Sequence, residues 1–143
     1  MTQENKMIEV AVCGAHMSGL PLNSQLTSLG GELVKKTKTA KKYKLFKLNG
    51  FIPPRPGLLR VGVDGAAIAL EVWRLPISNY GIFVAGVPAP LGFGTLELED
   101  ETTVQGFLCE AYATHDALDI SATGGWREFL ENAQEKTYSS VLN

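Results

Sequence analysis

The chain has 143 residues, 45% of them hydrophobic and 20% charged, with a formal net charge of −2 and a mean hydropathy of +0.03. That length suits one domain, residues 1–143, around one core. The composition is globular, no apolar run approaches the roughly 20 residues of a membrane span, and the charge balance supplies no basic field for a nucleic acid.

The opening MTQENKMIEV lacks a signal peptide's apolar stretch, so the expected compartment is the cytoplasm. Met7–Cys13 alternates Ile8, Val10 and Val12 against Glu9 and Ala11 and is predicted as the first strand, closed by Gly14. Pro21 near a helix start, Leu22, Leu26 and Leu29 at i, i+4 and i+7, and Gly30–Gly31 as a stop predict a short helix. Glu32–Thr39 and Tyr43–Leu48 read as two strands around a lysine-rich hairpin tip, where Lys35, Lys36, Lys38, Lys41, Lys42, Lys44 and Lys47 guard the strands against edge pairing. An anionic-partner patch is the alternative reading of those lysines.

Gly50–Gly57 (GFIPPRPG) carries three prolines and is loop. Leu58–Val63 and Ala67–Leu75 flank Asp64–Gly65, a type I′ hairpin signal. Ser78–Gly86 holds a short helix before Pro88 and Pro90, Gly94–Glu99 and Thr103–Ala111 form a further hairpin around Asp100–Thr102, and Gly125–Lys136 is helical. The first few residues and Tyr138–Asn143 are the expected frayed ends. Roughly seven short strands with few short helices predict an α+β fold whose largely antiparallel sheet rolls towards a small barrel.

Cys13 and Cys109 lie in separate strand-like segments without zinc or redox spacing, and read as reduced core residues. The scattered histidines and cysteines give no metal set, no phosphate loop occurs, and no cofactor is implied.

Six segments carry a family signal: GAHMSGLPLN at Gly14–Asn23, PPRPGLLRV at Pro53–Val61, ALEVWRLP at Ala69–Pro76, VPAPLGFGTLELED at Val87–Asp100, VQGFLCE at Val104–Glu110, and DISATGGWREFL near the end. Together they resemble the C-terminal domain of allophanate hydrolase, whose fold is similar to that of γ-glutamyl cyclotransferases. The resemblance spans Ile8 to about Leu130. It implies a role in urea and nitrogen metabolism, where an amidase domain converts allophanate to ammonia and N-carboxycarbamate and the C-terminal domain speeds loss of carbon dioxide from that product. The amidase segment with its Ser–Ser–Lys machinery is not in this sequence, so allophanate hydrolysis by this chain alone is not expected.

N-carboxycarbamate is a small dianion whose breakdown needs a proton on nitrogen, so a site needs anion-binding donors and a general acid. His16 is the first candidate. It lies in a turn where backbone N–H groups of Gly14, Ala15, Met17, Ser18 and Gly19 can cradle a carboxylate, and the resemblance also favours it. The plain alternative is a turn histidine bonded to the backbone. Glu71, mid-strand among apolar neighbours, is the second candidate: burial there is expected to raise its pKa, and it aligns with the acid/base glutamate of cyclotransferases. The alternative is an ion pair with Arg60.

Arg60 and Arg74 are candidates for fixing a carboxylate, with surface positions as the alternative. Asn23 and Ser18 are candidate hydrogen-bond partners or capping and turn residues. Tyr43, Tyr80 and Trp73 line a pocket or belong to the core, and His115 reaches the site or lies on a surface loop. Expected partners are a small anionic substrate and a separately encoded amidase, with a homodimer left open and no nucleic acid or membrane. Three functions follow: an enzyme assisting decarboxylation of N-carboxycarbamate or a similar carboxylated amide, a γ-glutamyl cyclotransferase-like enzyme, and a non-catalytic subunit docking on an amidase. The turn at Cys13–His16 departs from the YGSL of cyclotransferases, which disfavours the second.

Overall fold

Alternating apolar residues place β1, Met7–Val12, at the centre of a five-stranded sheet. The computed structural model describes residues 6–142, with side chains through residue 134. In chain order the other elements are α1 (Ser24–Thr27), β2 (Glu32–Lys38), β3 (Tyr43–Lys47), β4 (Pro56–Arg60), β5 (Ala69–Pro76), α2 (Ile77–Ala85), β6 (Leu91–Glu97), β7 (Thr103–Cys109), β8 (Leu118–Asp119) and α3 (Trp126–Leu142). Short 3-10 turns cover Ala111–Thr114 and Ser121–Thr123.

The large sheet runs β2-β5-β1-β7-β6 and the small one β4-β3-β8. Every pairing is antiparallel except β1 with β7, where Val10 lies opposite Gln105. The edges of the large sheet meet beyond their ends through a Thr39–Leu98 bridge, so the sheet rolls up as expected for this α+β fold. Thr39 secures the seam, accepting the Ile68 N–H at its hydroxyl, which donates to the Ala40 carbonyl. Val10, Val12, Leu45, Leu58, Leu70 and Val72 fill the interior. Each such side chain contributes about 1.5–3 kcal/mol of burial free energy.

Two predicted hairpins do not form. β2 and β3 lie in different sheets, β2 against β5 and β3 against β4, so the lysine-rich segment crosses between sheets and is not a hairpin tip. β4 and β5 are likewise separated. Asp64 does take a positive φ of 57°, but Ala66 then bridges to Tyr43 and the chain passes into the other sheet. At Asp64 the positive φ fits the local signal, and in both places burial against a distant strand decides the pairing. The β6–β7 hairpin forms as expected, from Leu91 opposite Cys109 to Glu97 opposite Thr103.

The predicted first helix shrinks to Ser24–Thr27, flanked by turns, because Leu26 alone is its buried residue. β8 has no counterpart among the predicted strands. The last helix continues to Leu142, through most of the segment expected to fray, while the first residues and Asn143 lie outside the described residues. Trp126, 2% exposed, anchors that helix, and the Ala69 N–H donating to the Gly124 carbonyl fixes its start against β5. No helix among the described residues is long and apolar enough to cross a membrane.

Candidate functional site

The segment leaving β1 supplies both candidate regions. Gly14 is required there by packing, since a Cβ would lie 2.6 Å from the Pro56 side chain, and Gly19 by its φ of 78°. Between them Ala15, His16 and Met17 are buried. Asn23 does not cap α1. Its side-chain amide donates to the His16 carbonyl at 2.8 Å and so holds the turn.

His16 is 5% exposed. Its ring stacks on Phe107 with centroids 5.0 Å apart and meets Phe83 edge-on at 5.3 Å. Nε2 donates to Gln25 Oε1 at 2.8 Å, which fixes the tautomer and leaves Nδ1 with its lone pair. Burial lowers the imidazole pKa, the Gln25 bond partly offsets this, and the Arg55 charge lowers it further, so the resting ring is neutral. The bland alternative of a backbone-bonded turn histidine does not describe this ring, whose bond is to a side chain.

His16 lines a narrow crevice of about 20 Å³ with Cys13, Gly14, Ala15, Arg55, Pro56 and Phe107. Arg55 Nε is buried there without a hydrogen-bond partner among the described residues, and the guanidinium lies 5.2 Å from the Phe51 ring centroid. The Ala15 and His16 N–H groups have no protein acceptor among the described residues, whereas those of Met17 and Ser18 are taken. Of the cradle expected across residues 14–19, Gly14, Ala15 and His16 line the crevice, while Ser18 is engaged with Glu71.

Glu71 lies on the other side of the same turn, opposite Val12 in β1 and Lys36 in β2. Its carboxylate accepts from the Ser18 N–H at 2.8 Å, the Ser18 hydroxyl at 2.8 Å, the Trp73 indole N–H at 3.0 Å and Arg127 Nη2 at 3.1 Å. Burial alone raises this carboxyl. The Ser18 N–H, the Trp73 indole, the Ser18 hydroxyl and Arg127 outweigh it, and the pKa falls below the ordinary carboxylate value. The expectation of a raised pKa is thus overturned, because burial brings four donors with it. The predicted partner is corrected as well: Glu71 pairs with Arg127, not Arg60.

Arg60 is exposed and lies over the Tyr43 ring at 5.9 Å. Tyr43 is fully buried, its hydroxyl accepting the Glu97 N–H at 3.0 Å. Neither lines the His16 crevice or the cavity beside Glu71. Arg74 pairs with Glu32 on the surface, Tyr80 packs edge-on against Phe93, and His115 is exposed. Burial and nearby Cys109 push the Cys13 thiol up to about 12, and burial pushes Cys109 up to about 11, so neither is a ready nucleophile. Among the described residues no group of three or more His, Cys, Asp or Glu is placed to hold a metal.

Sequence reasoning passed over Arg55, Arg127 and Gln25. Two of them stood inside family segments: Arg55 between prolines in PPRPG, and Arg127 beside a buried tryptophan at a helix start.

A family model described as the allophanate hydrolase C-terminal domain matches residues 8–131. The urea amidolyase of Saccharomyces cerevisiae is 41% identical over 134 residues, 90% of this chain and 7% of that protein. Kluyveromyces lactis allophanate hydrolase superposes with a TM-score of 0.85 at 38% identity, over 90% of this chain and 22% of that one. The uropathogenic E. coli-specific protein c4763 superposes at 0.82 with 31% identity, over 88% of this chain and 97% of that one. A likeness to γ-glutamyl cyclotransferase, with a TM-score of 0.53 and 12% identity over 80% of this chain and 70% of that one, concerns the fold alone. The chain spans 7% of the length of the curated relatives it matches. With residues 8–131 matched, most of its length, the chain belongs to the allophanate hydrolase C-terminal domain family.

Proposed function

We propose that the His16 crevice binds a carboxylate of N-carboxycarbamate, or of a similar small carboxylated amide, and assists its decarboxylation. The observation that carries this reading is the buried, unpartnered Arg55 Nε beside a neutral histidine. A desolvated guanidinium donor without an acceptor is costly, and a carboxylate is its natural complement. About 20 Å³ holds one small group, so the crevice suits a carboxylate with the rest of the substrate at its mouth.

The dianion itself supplies what His16 lacks. Negative charge beside the ring offsets the effects of burial and Arg55, so the imidazole takes a proton at Nδ1 and passes it to the substrate nitrogen. The C–N bond breaks with its electron pair staying on nitrogen, carbon dioxide departs, and carbamate remains. Gln25 is a positioning residue here, holding the proton on Nε2. Two buried, unpaired cysteines fit a reducing cytoplasm.

Glu71 has no place in this proton transfer, because its oxygens are occupied. That occupation also weighs against the cyclotransferase-like reading, which needs a free carboxylate at this position. The partner-subunit reading draws on the K. lactis hydrolase, of whose chain this domain covers only 22%.

The test mixes the purified chain with an amidase that makes N-carboxycarbamate and follows carbon dioxide release. Wild type should accelerate release, and His16→Ala should reduce the effect roughly 100-fold. The chain alone should release no ammonia from allophanate. An unchanged rate with wild type would overturn the decarboxylation reading and leave the partner subunit in its place.

A further inference from the structure

A second, larger cavity lies across the turn from the crevice. It measures about 410 Å³ and is open to solvent, with Lys36, Lys38 and Glu99, which accepts from the Thr37 hydroxyl at 3.5 Å, on one wall and Glu71, Arg127 and Glu128 on the other. That volume suits a small organic molecule. It is far more than the decarboxylation chemistry requires.

The polar groups of this cavity are not all matched to one another. Glu71 and Arg127 satisfy each other at 3.1 Å and tie the cavity floor to Ser18, whose carbonyl accepts a second bond from Arg127 Nη2 at 3.0 Å. Glu128 is different. Its Oε2 is buried with no hydrogen-bond partner among the described residues, held at the start of α3, where a Cβ on Gly125 would meet it at 2.6 Å. Across the cavity Lys36 and Lys38 occupy alternate positions of β2, opposite Glu71 and Ala69, so both point to the sheet face that carries Glu71. Neither forms an ion pair among the described residues.

A buried carboxylate oxygen without a donor needs one. A simple amine would supply it and leave two lysines facing its other end. A simple carboxylate would satisfy the lysines and leave Glu128 bare. The geometry points to a binding site for a small zwitterion, whose ammonium group meets Glu128 and whose carboxylate meets Lys36 and Lys38. This site is separate from the His16 crevice and does not depend on the decarboxylation reading.

NMR titration of the full chain at constant ionic strength tests it, with L-alanine, L-glutamate and glycylglycine as zwitterionic probes and acetate and methylammonium as half-ligands. At least one zwitterion should bind roughly tenfold more tightly than either half-ligand, the difference that one charged hydrogen bond supplies. Amide shifts should gather at residues 36–38, 69–71 and 127–128. Glu128→Gln and the double variant Lys36→Met, Lys38→Met should each weaken binding roughly tenfold. The lysines are exposed, so the double variant tests the site without disturbing the fold. Three results would overturn the proposal: no binding by any zwitterion, acetate binding as well as the zwitterions, or binding unchanged in the lysine variant. Malonate shifts at residues 14–16 report on the crevice alone and keep its failure distinct from failure here.

Discussion

The turn after β1 has two sides, and they treat charge in opposite ways. On one side the Glu71 carboxylate is buried and answered by two groups of Ser18, the Trp73 indole and Arg127. On the other, the Arg55 Nε is buried with no hydrogen-bond acceptor among the described residues, beside an imidazole kept neutral by its surroundings. A saturated buried charge is a fastening. An unsaturated one is a place for something to bind. The comparison corrects the expectation drawn from sequence, in which Glu71 and His16 were both candidates for acid/base chemistry.

The largest expected effect comes from breaking the fastening. Glu71→Ala should destabilise the fold by about 3 kcal/mol in urea unfolding, the low end for a buried pair that loses one member, since Arg127 is partly exposed and can rehydrate. A loss under about 1 kcal/mol would show that the turn is held by other means. On the open side, Arg55→Met should leave stability nearly unchanged and weaken malonate binding, measured by calorimetry, roughly tenfold or more. Equal loss of stability at both positions would erase the distinction between the two sides.

Tyr43→Phe separates core from site. It deletes the acceptor of the Glu97 N–H and should cost about 1 kcal/mol of stability, with malonate binding unaltered. Weakened binding would return Tyr43 to the candidate site.

The smallest effect is one of slope. The His16 pKa is lowered in the folded state, so the unfolded chain binds more protons there as the pH falls. His16 therefore contributes stability that is complete above the ordinary histidine value of about 6.5 and is lost as the pH drops from there towards its folded value. Glu71, whose folded pKa is also lowered, contributes stability above its ordinary carboxyl value and loses it at lower pH. Between about pH 6.5 and pH 5 the His16→Gln variant should show a flatter decline than wild type in urea midpoints. Parallel profiles would mean that the ring is not kept neutral by burial.

Local pattern alone located β1, the β6–β7 hairpin and the closing helix, because alternation, a short turn and one-face spacing are written in adjacent residues. The six family segments added the fold class and a focus on the turn from residue 14 to 19, where His16 does sit in a crevice. Which strands pair was not legible at 58–75 or 32–48, where a turn signal stands between strands that belong to different sheets. Side-chain partners were no more legible: Glu71 meets Arg127 across 56 positions of sequence, and no local spacing marks that pair. The direction of a buried group's pKa depends on the donors that folding brings to it. Composition could place Glu71 and His16 in apolar surroundings, but only the tertiary structure decided that one finds four donors there and stays charged while the other finds one acceptor and stays neutral.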